Sequence, residues 1–316
     1  MRRYILHRII ILIPVLFLVS IMVFSLVHLI PGDPIDFLLS QAEPSDPKIR
    51  VQLEKSMGLD QPLPTQYLIW LGRTLRGDFG QSIHFGRKNF DLIVERFPAT
   101  LSLAIFASLI SVLIAIPAGV VAAIKGNTPS DYVAMVIALL GTSIPNFRLA
   151  IILILTFSLY FPILPSSGYT ASLADPLGTL KHLLLPSITL GTGLAAIVAR
   201  MTRSEMLEEI GKEYVRTARA KGVPERLVIF KHTLKNALVP TITVIGLQFG
   251  GLLGGTVIVE HIFSWPGVGS LVVDAVYSRD YGLVQALVLA FALIYVGVNF
   301  VVDVLYKYVN PRIALE

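Results

Sequence analysis

Apolar residues fall along this chain in runs too long for an alternating strand or a one-sided helix. The runs occupy residues 9–30, 100–124, 132–161, 183–199, 236–259 and 282–305, with polar, Pro- and Gly-punctuated stretches between them. A helix crossing the hydrocarbon core needs about 20 predominantly apolar residues. The pattern therefore predicts an all-α integral membrane protein with about six transmembrane helices. The first run follows Arg2, Arg3 and Arg8 and leads into Pro31-Gly32-Asp33-Pro34. A secretory signal has an apolar region of only about 7–15 residues and a small-residue cleavage site. Residues 1–30 accordingly read as a cytoplasmic N-terminus with a retained anchor, the cleaved leader being the alternative. Pro98 precedes the second run as a helix start, Pro145 interrupts the third and Pro186 lies within the fourth. Such breakers are tolerated in membrane helices because neighbouring groups satisfy the freed backbone.

Between the first two runs, residues 31–98 are polar and nearly balanced, with nine Asp/Glu against eight Lys/Arg. Tyr67, Leu68, Trp70, Leu71 and Leu75 recur there at helical spacing. This predicts a small helical subdomain on the membrane surface, followed by a five-helix core over residues 99–316.

Charge then sets the orientation. With the N-terminus inside, the cytoplasmic segments carry 15 Lys/Arg, nine of them in residues 200–235, while the two short outer loops hold only Lys181 and Arg279. Excess Lys/Arg in short loops marks the cytoplasmic side, whereas a long loop such as 31–98 crosses largely regardless of charge. Both termini are expected in the cytoplasm, and residues 31–98 outside. Composition agrees: 54% of residues are hydrophobic and 15% charged, against roughly 25% charged in soluble domains. The net charge of +5 sits at the cytoplasmic surface, so it calls for no nucleic-acid partner. No cysteine is present, which excludes disulfides, thiolate metal sites and cysteine nucleophiles.

The segment 200–235 is the most informative. A helix continuing from the membrane is followed by a short one at about 213–221. Gly222 stops it, since glycine accepts the left-handed conformation, and Pro224 allows another helix to begin. A short charged helix between two breaks can dock into a groove of another protein, or it can lie solvated at the lipid headgroups.

Five stretches carry a family resemblance: Pro31-Gly32-Asp33-Pro34; Met57-Gly58-Leu59-Asp60-Gln61-Pro62-Leu63 with Gly77-Asp78-Phe79-Gly80; Tyr214 to Gly222; Val259-Glu260-His261-Ile262-Phe263-Ser264-Trp265-Pro266-Gly267-Val268-Gly269; and Arg279-Asp280-Tyr281. In order and spacing the chain resembles the permease subunits of bacterial ABC importers, in the branch that carries dipeptides, oligopeptides, glutathione or nickel. Only Ala218, Gly222 and Leu234 match the general cytoplasmic signature of such permeases, so the branch-specific stretches carry the likeness. The resemblance implies a type I ABC importer permease fold and half of a translocation pore. It implies a second homologous permease, two ABC ATPase subunits holding ATP and Mg, and an extracytoplasmic substrate-binding protein. It also places Glu213, Tyr214, Arg216, Thr217, Ala218, Arg219, Ala220 and Gly222 at or near the ATPase contact, with Arg216 or Arg219 available to pair with carboxylates there. No cofactor is expected on this chain. Peptide import is the favoured substrate reading, with glutathione or nickel as alternatives.

Arg148 falls within an apolar run, about 16 residues or 24 Å from Tyr132 at 1.5 Å per residue. A charge at that depth usually faces protein or a water-filled cavity. With Asn146 it is a candidate for the substrate pathway, and a structural pairing or snorkelling toward the headgroups is the competing account. Glu260, Phe263 and Trp265 are candidates for an outer gate or binding-protein contact, against an interfacial re-entrant loop. Gly250, Gly251, Gly254 and Gly255 have spacings suited to close helix packing. Neither G-x-x-x-x-G-K-[ST], H-E-x-x-H nor G-x-S-x-G occurs. The chain is therefore expected to be no enzyme. An ion-coupled secondary transporter would favour mid-span carboxylates and internal repeats, and a membrane hydrolase would need paired catalytic groups; neither pattern is seen.

Overall fold

In the computed structural model, residues 2–29, 61–169 and 175–309 are described. The Pro31–Pro34 stretch and residues 57–60 of the second motif lie outside them. The helices are α1 (Arg2–Leu29), α2 (Leu63–Thr74), α3 (Asn89–Ile124), α4 (Pro129–Ser143), α5 (Asn146–Ile154), α6 (Pro176–Ile210), α7 (Glu213–Ala220), α8 (Leu234–Gly255), α9 (Val257–Ile262), α10 (Val268–Tyr277) and α11 (Tyr281–Val309). Helix α5 continues as a π-helical turn, Leu155–Tyr160, and another π turn, Val228–Thr233, precedes α8.

Among the described residues, five helical segments are long and apolar enough to cross a membrane, six if one bent pair counts as a single span. The bent pair is Pro129–Ser143 with Asn146–Tyr160, which meet at 101°. The break falls where the sequence placed it. Ile144 is extended, and Pro145 caps the following helix with φ −58° and ψ 137°. The fourth span is longer than its apolar run, because polar residues at both ends continue the same helix. Asp175 caps its start, its carboxylate accepting from the Gly178 N–H at 2.9 Å.

The chain divides into two compact units. One comprises residues 2–97 and 271–294. There α2 packs on α1: the Phe24 ring lies 5.8 Å from Trp70 and 5.5 Å from Tyr67, and the Ser20 and Tyr67 hydroxyls are 2.8 Å apart. Asp280 gathers the rest of this unit. Its buried carboxylate accepts from Ser82 Oγ at 2.6 Å and from the His84 N–H, and it caps α11 through the Leu283 N–H at 3.0 Å. The start of the last span thus belongs to this unit, whereas hydropathy alone grouped it with the core over 99–316.

The other unit comprises residues 98–270 and the chain from Tyr295 onward. Helix α6 is its centre: it packs against α4, α5, α8 and α9, and 67% of its most apolar stretch is buried. Its partner α3 comes very close. A Cβ at Gly191 would stand 2.7 Å from the Ala107 carbonyl oxygen, and one at Gly119 would stand 2.7 Å from that of Ala199. Only glycine permits that spacing, which lets Leu103, Ala107 and Ala115 of α3 pack with Leu190, Leu194 and Val198 of α6. Two buried threonines of α6 bond back to carbonyls four residues earlier, Thr189 to Leu185 and Thr202 to Val198, each at 2.8 Å, while the buried Ser108, Ser111 and Ser187 hydroxyls have no such partner. The back-bonds spare the two threonine hydroxyls the cost of burial without a partner.

Candidate functional site: the loop after α6, a cavity, and a buried carboxylate

Helix α6 ends at Gly211, and two residues later α7 begins. Helix α7 is amphipathic on the scale of two turns. Val215 is fully buried, while Glu213, Arg216, Thr217 and Ala220 are exposed. Gly222 then takes φ +73°, and the Val223 N–H reaches back to the Ala218 carbonyl. This is a left-handed glycine terminus, as the sequence required. The Glu225–Leu227 turn starts directly after Pro224.

Most charges of α7 are already engaged within the chain. Arg219 forms a two-point pair with Glu225, at 2.7 and 3.1 Å, and Arg216 pairs with Glu213 at 2.7 Å. Both pairs are exposed, so they organise the surface more than they stabilise it. Lys212 bonds Glu209 at 2.5 Å, and that carboxylate holds the Lys212 pKa above its ordinary value.

In this unit, α4, α5, α6 and α8 line an open cavity of about 380 Å³. Its polar lining is neutral: Thr142, Asn146 and Gln248, with Gly141 and Gly193 on the wall and Gly251 and Gly255 opening it. The volume is within the range of small-molecule sites. Asn146 lines this cavity. Arg148, two residues on, is exposed and outside the lining. The glycines of α8 thus serve partly to make space, since a Cβ at Gly251, Gly254 or Gly255 would touch nothing within 4 Å; Gly250 instead packs on Tyr295 and Asn299. Below the cavity, Arg203 of α6 holds the buried Asp131 of α4 by two hydrogen bonds of 2.6 Å.

Beyond α8, the three residues read as an outer gate or docking contact are in the core. Glu260 is 0%, Phe263 2% and Trp265 1% exposed. They present no surface to a binding protein, which corrects that part of the expectation. The physical reason is that each polar atom finds a partner inside. Trp265 Nε1 donates to the Ala99 carbonyl at 2.9 Å, and its ring meets Tyr169 edge-on at 4.6 Å. Glu260 accepts from Thr100 Oγ1 at 2.8 Å and from the Ser270 N–H at 2.9 Å, while Thr100 Oγ1 accepts from the Val268 N–H. Burial pushes the Glu260 carboxyl above its ordinary 4.5, and these donors partly oppose the shift. Glu260 follows the end of the α8 span at Gly255 and lies outside it.

Several apolar spans, one of them broken, a polar cavity beside the break and a short exposed helix between two spans are what a membrane permease subunit requires. Comparison with known proteins agrees. Residues 115–315 match the family described as "Binding-protein-dependent transport system inner membrane component", and residues 1–104 match the N-terminal part of such components. The chain is 42% identical over 313 residues to the glutathione transport system permease protein GsiC of Escherichia coli K12 and to that of Shigella boydii, covering 99% of each chain. Among solved structures, an inward-facing form of the MetNI methionine ABC transporter shares the fold with a TM-score of 0.58 at 18% identity, covering 69% of this chain and 96% of that one. An amino acid ABC transporter has a TM-score of 0.52 at 16% identity, covering 71% and 94%. This chain belongs to the binding-protein-dependent transport inner membrane component family. It is the permease subunit of an ATP-driven importer, of the peptide, glutathione and nickel branch, and works with separate ATPase subunits.

Proposed function

We propose that the chain forms half of the pore of an importer of di- or oligopeptides, with a second, homologous permease as the other half. The observation that carries this reading is α7: a two-turn helix anchored by Val215, with a polar exposed face, placed between two spans and closed by a left-handed glycine. That is the form of a helix that docks into a cleft of an ATPase subunit. Closure of two such subunits on ATP and Mg then displaces α7 and rocks the spans between inward- and outward-open states. Glu213, Arg216, Thr217, Ala220 and Gly222 form the docking face, with both termini on the same, cytoplasmic side. The pair of Arg219 with Glu225 shapes this face, and Arg219 contributes to docking indirectly. An extracytoplasmic binding protein delivers the substrate.

The neutral amides and hydroxyl around the cavity suit a substrate recognised through its own amides, which favours peptides over a bare metal ion. Asn146 is part of that pathway, and Arg148 is a candidate at its edge. Glutathione import is the second reading, favoured by the 42% identity to glutathione permeases. Uptake of labelled dipeptides, tripeptides, glutathione and nickel in a deletion strain complemented with this gene separates them; nickel uptake alone would overturn the peptide reading. Gly222→Asp, which forces a side chain into φ +73°, should leave the protein in the membrane while uncoupling ATP hydrolysis from uptake. Coupled uptake in that variant would sink the docking assignment. An unchanged Michaelis constant in Arg148→Leu would remove Arg148 from the pathway.

A further inference from the structure

Tyr214 sits on the docking helix, yet its hydroxyl is turned back into its own chain. It donates to the Glu209 carboxylate and accepts from Asn236 Nδ2 at 3.0 Å; the His232 carbonyl oxygen is 3.3 Å away and is also held by Asn236 Nδ2 at 3.2 Å. Glu209 is 9% exposed and takes Lys212 Nζ at 2.5 Å as well. Three elements therefore converge on one phenol: the last turn of α6, helix α7, and the first turn of α8. Burial and the Glu209 carboxylate raise the phenol's pKa, so it remains protonated and able to donate at neutral pH.

The bond pattern matters because of what separates α7 from α8. The connection runs through the π turn Val228–Thr233, and His232 is part of that turn. Single π turns are locally wide, and they recur at functional sites. A push on α7 that reached α8 only through the main chain would be taken up by deformation of this turn. A side chain that spans it avoids that loss. The other ties of α7 transmit such a push less directly. Val215 makes apolar contact, and the Arg219–Glu225 pair closes only the near side of the π turn.

We infer that Tyr214 is a positioning residue for transport, its hydroxyl bridging the π turn so that displacement of α7 moves α6 and α8 together. The inference rests on the docking of α7 proposed above, and the two can be separated. The chain has no cysteine, so Lys221→Cys, exposed at the end of α7 and outside the docking face, provides one unambiguous cross-linking handle. The experiment uses the complete transporter reconstituted in liposomes, with ATP hydrolysed per substrate imported as the readout. In Tyr214→Phe, import should fall by about tenfold or more, the scale of one lost hydrogen bond to a charged group, with ATPase activity held within about twofold. Glu209→Gln keeps an acceptor for the phenol and should stay near wild type, whereas Glu209→Ala should behave as Tyr214→Phe. The Lys221→Cys cross-link to the ATPase should persist in each. A wild-type ATP-to-substrate ratio in Tyr214→Phe would overturn the inference. So would equal losses of ATPase and import, which would indicate assembly alone. Absence of the cross-link in an otherwise wild-type complex would instead overturn the docking reading, and this inference with it.

Discussion

Replacing Glu260 by alanine removes an acceptor on which separate backbone segments converge. In the native chain its two oxygens take the Thr100 hydroxyl and the Ser270 N–H, at 2.8 and 2.9 Å, with the residue wholly buried. Alanine leaves both donors stranded at about 1–3 kcal/mol each, so the variant should lose roughly 2–6 kcal/mol. Glutamine keeps one good acceptor. Whichever way its amide turns, either the Ser270 N–H faces another donor or the Thr100 hydroxyl proton loses its partner, at about 1 kcal/mol. The expected order is wild type, then Glu260→Gln, then Glu260→Ala. The chain contains two tryptophans, Trp70 and Trp265. A Trp70→Phe background therefore lets Trp265 fluorescence report unfolding of this region in detergent. The pH dependence has a definite sign. The folded carboxyl holds its proton more tightly than the ordinary 4.5. Stability from this group is thus greatest in acid and is lost as pH rises through its folded pKa. Wild type should gain stability as pH falls through that range toward 4.5, and Glu260→Gln should lack that increment. A Glu260→Ala protein within about 0.5 kcal/mol of wild type would refute the account of the buried carboxylate.

Gly191→Ala should destabilise the protein by about 1–3 kcal/mol, since its new methyl meets a backbone oxygen that cannot step aside; a thermal melt of the purified subunit checks it. Gly251→Ala is the contrast: its methyl meets open space, so the melting profile should match wild type while the Michaelis constant for uptake shifts, because Gly251 lines the cavity. Arg203→Ala strands the Asp131 carboxylate and should lower the yield of folded protein. The exchange Asp131→Arg with Arg203→Asp should recover part of it, measured as detergent-stable protein, because a buried charge is costly chiefly when unpaired.

The parts of this structure most visible in the sequence are those dictated by the backbone itself. Apolar run length announces spans, Pro145 announces a break, and Gly222 announces a helix end whose φ of +73° few other residues tolerate. Features that depend on which distant groups meet were not visible. Pro145 marks a break without giving its 101° bend, because packing on both sides sets the angle. Trp265 fits a bilayer interface as well as a core, and only the Ala99 carbonyl decides between them. Tyr214 read as a docking residue. Its inward hydroxyl follows from Glu209, His232 and Asn236, up to 22 positions away in sequence. Asp280 belonged to a motif of the resemblance, yet its role as a clasp requires Ser82, 198 residues earlier.

The bend between α4 and α5 has one further consequence. Two helix ends meet there, and each leaves main-chain donors or carbonyls without helical partners. Lipid tails offer them nothing, so such a break survives at membrane depth only against protein or water. The bend therefore acts as a compass for the subunit: the side bearing Thr142, Ile144 and Asn146 must turn away from the bilayer, toward a wet passage or a neighbouring chain. The direction in which this subunit faces is thus written into its main chain.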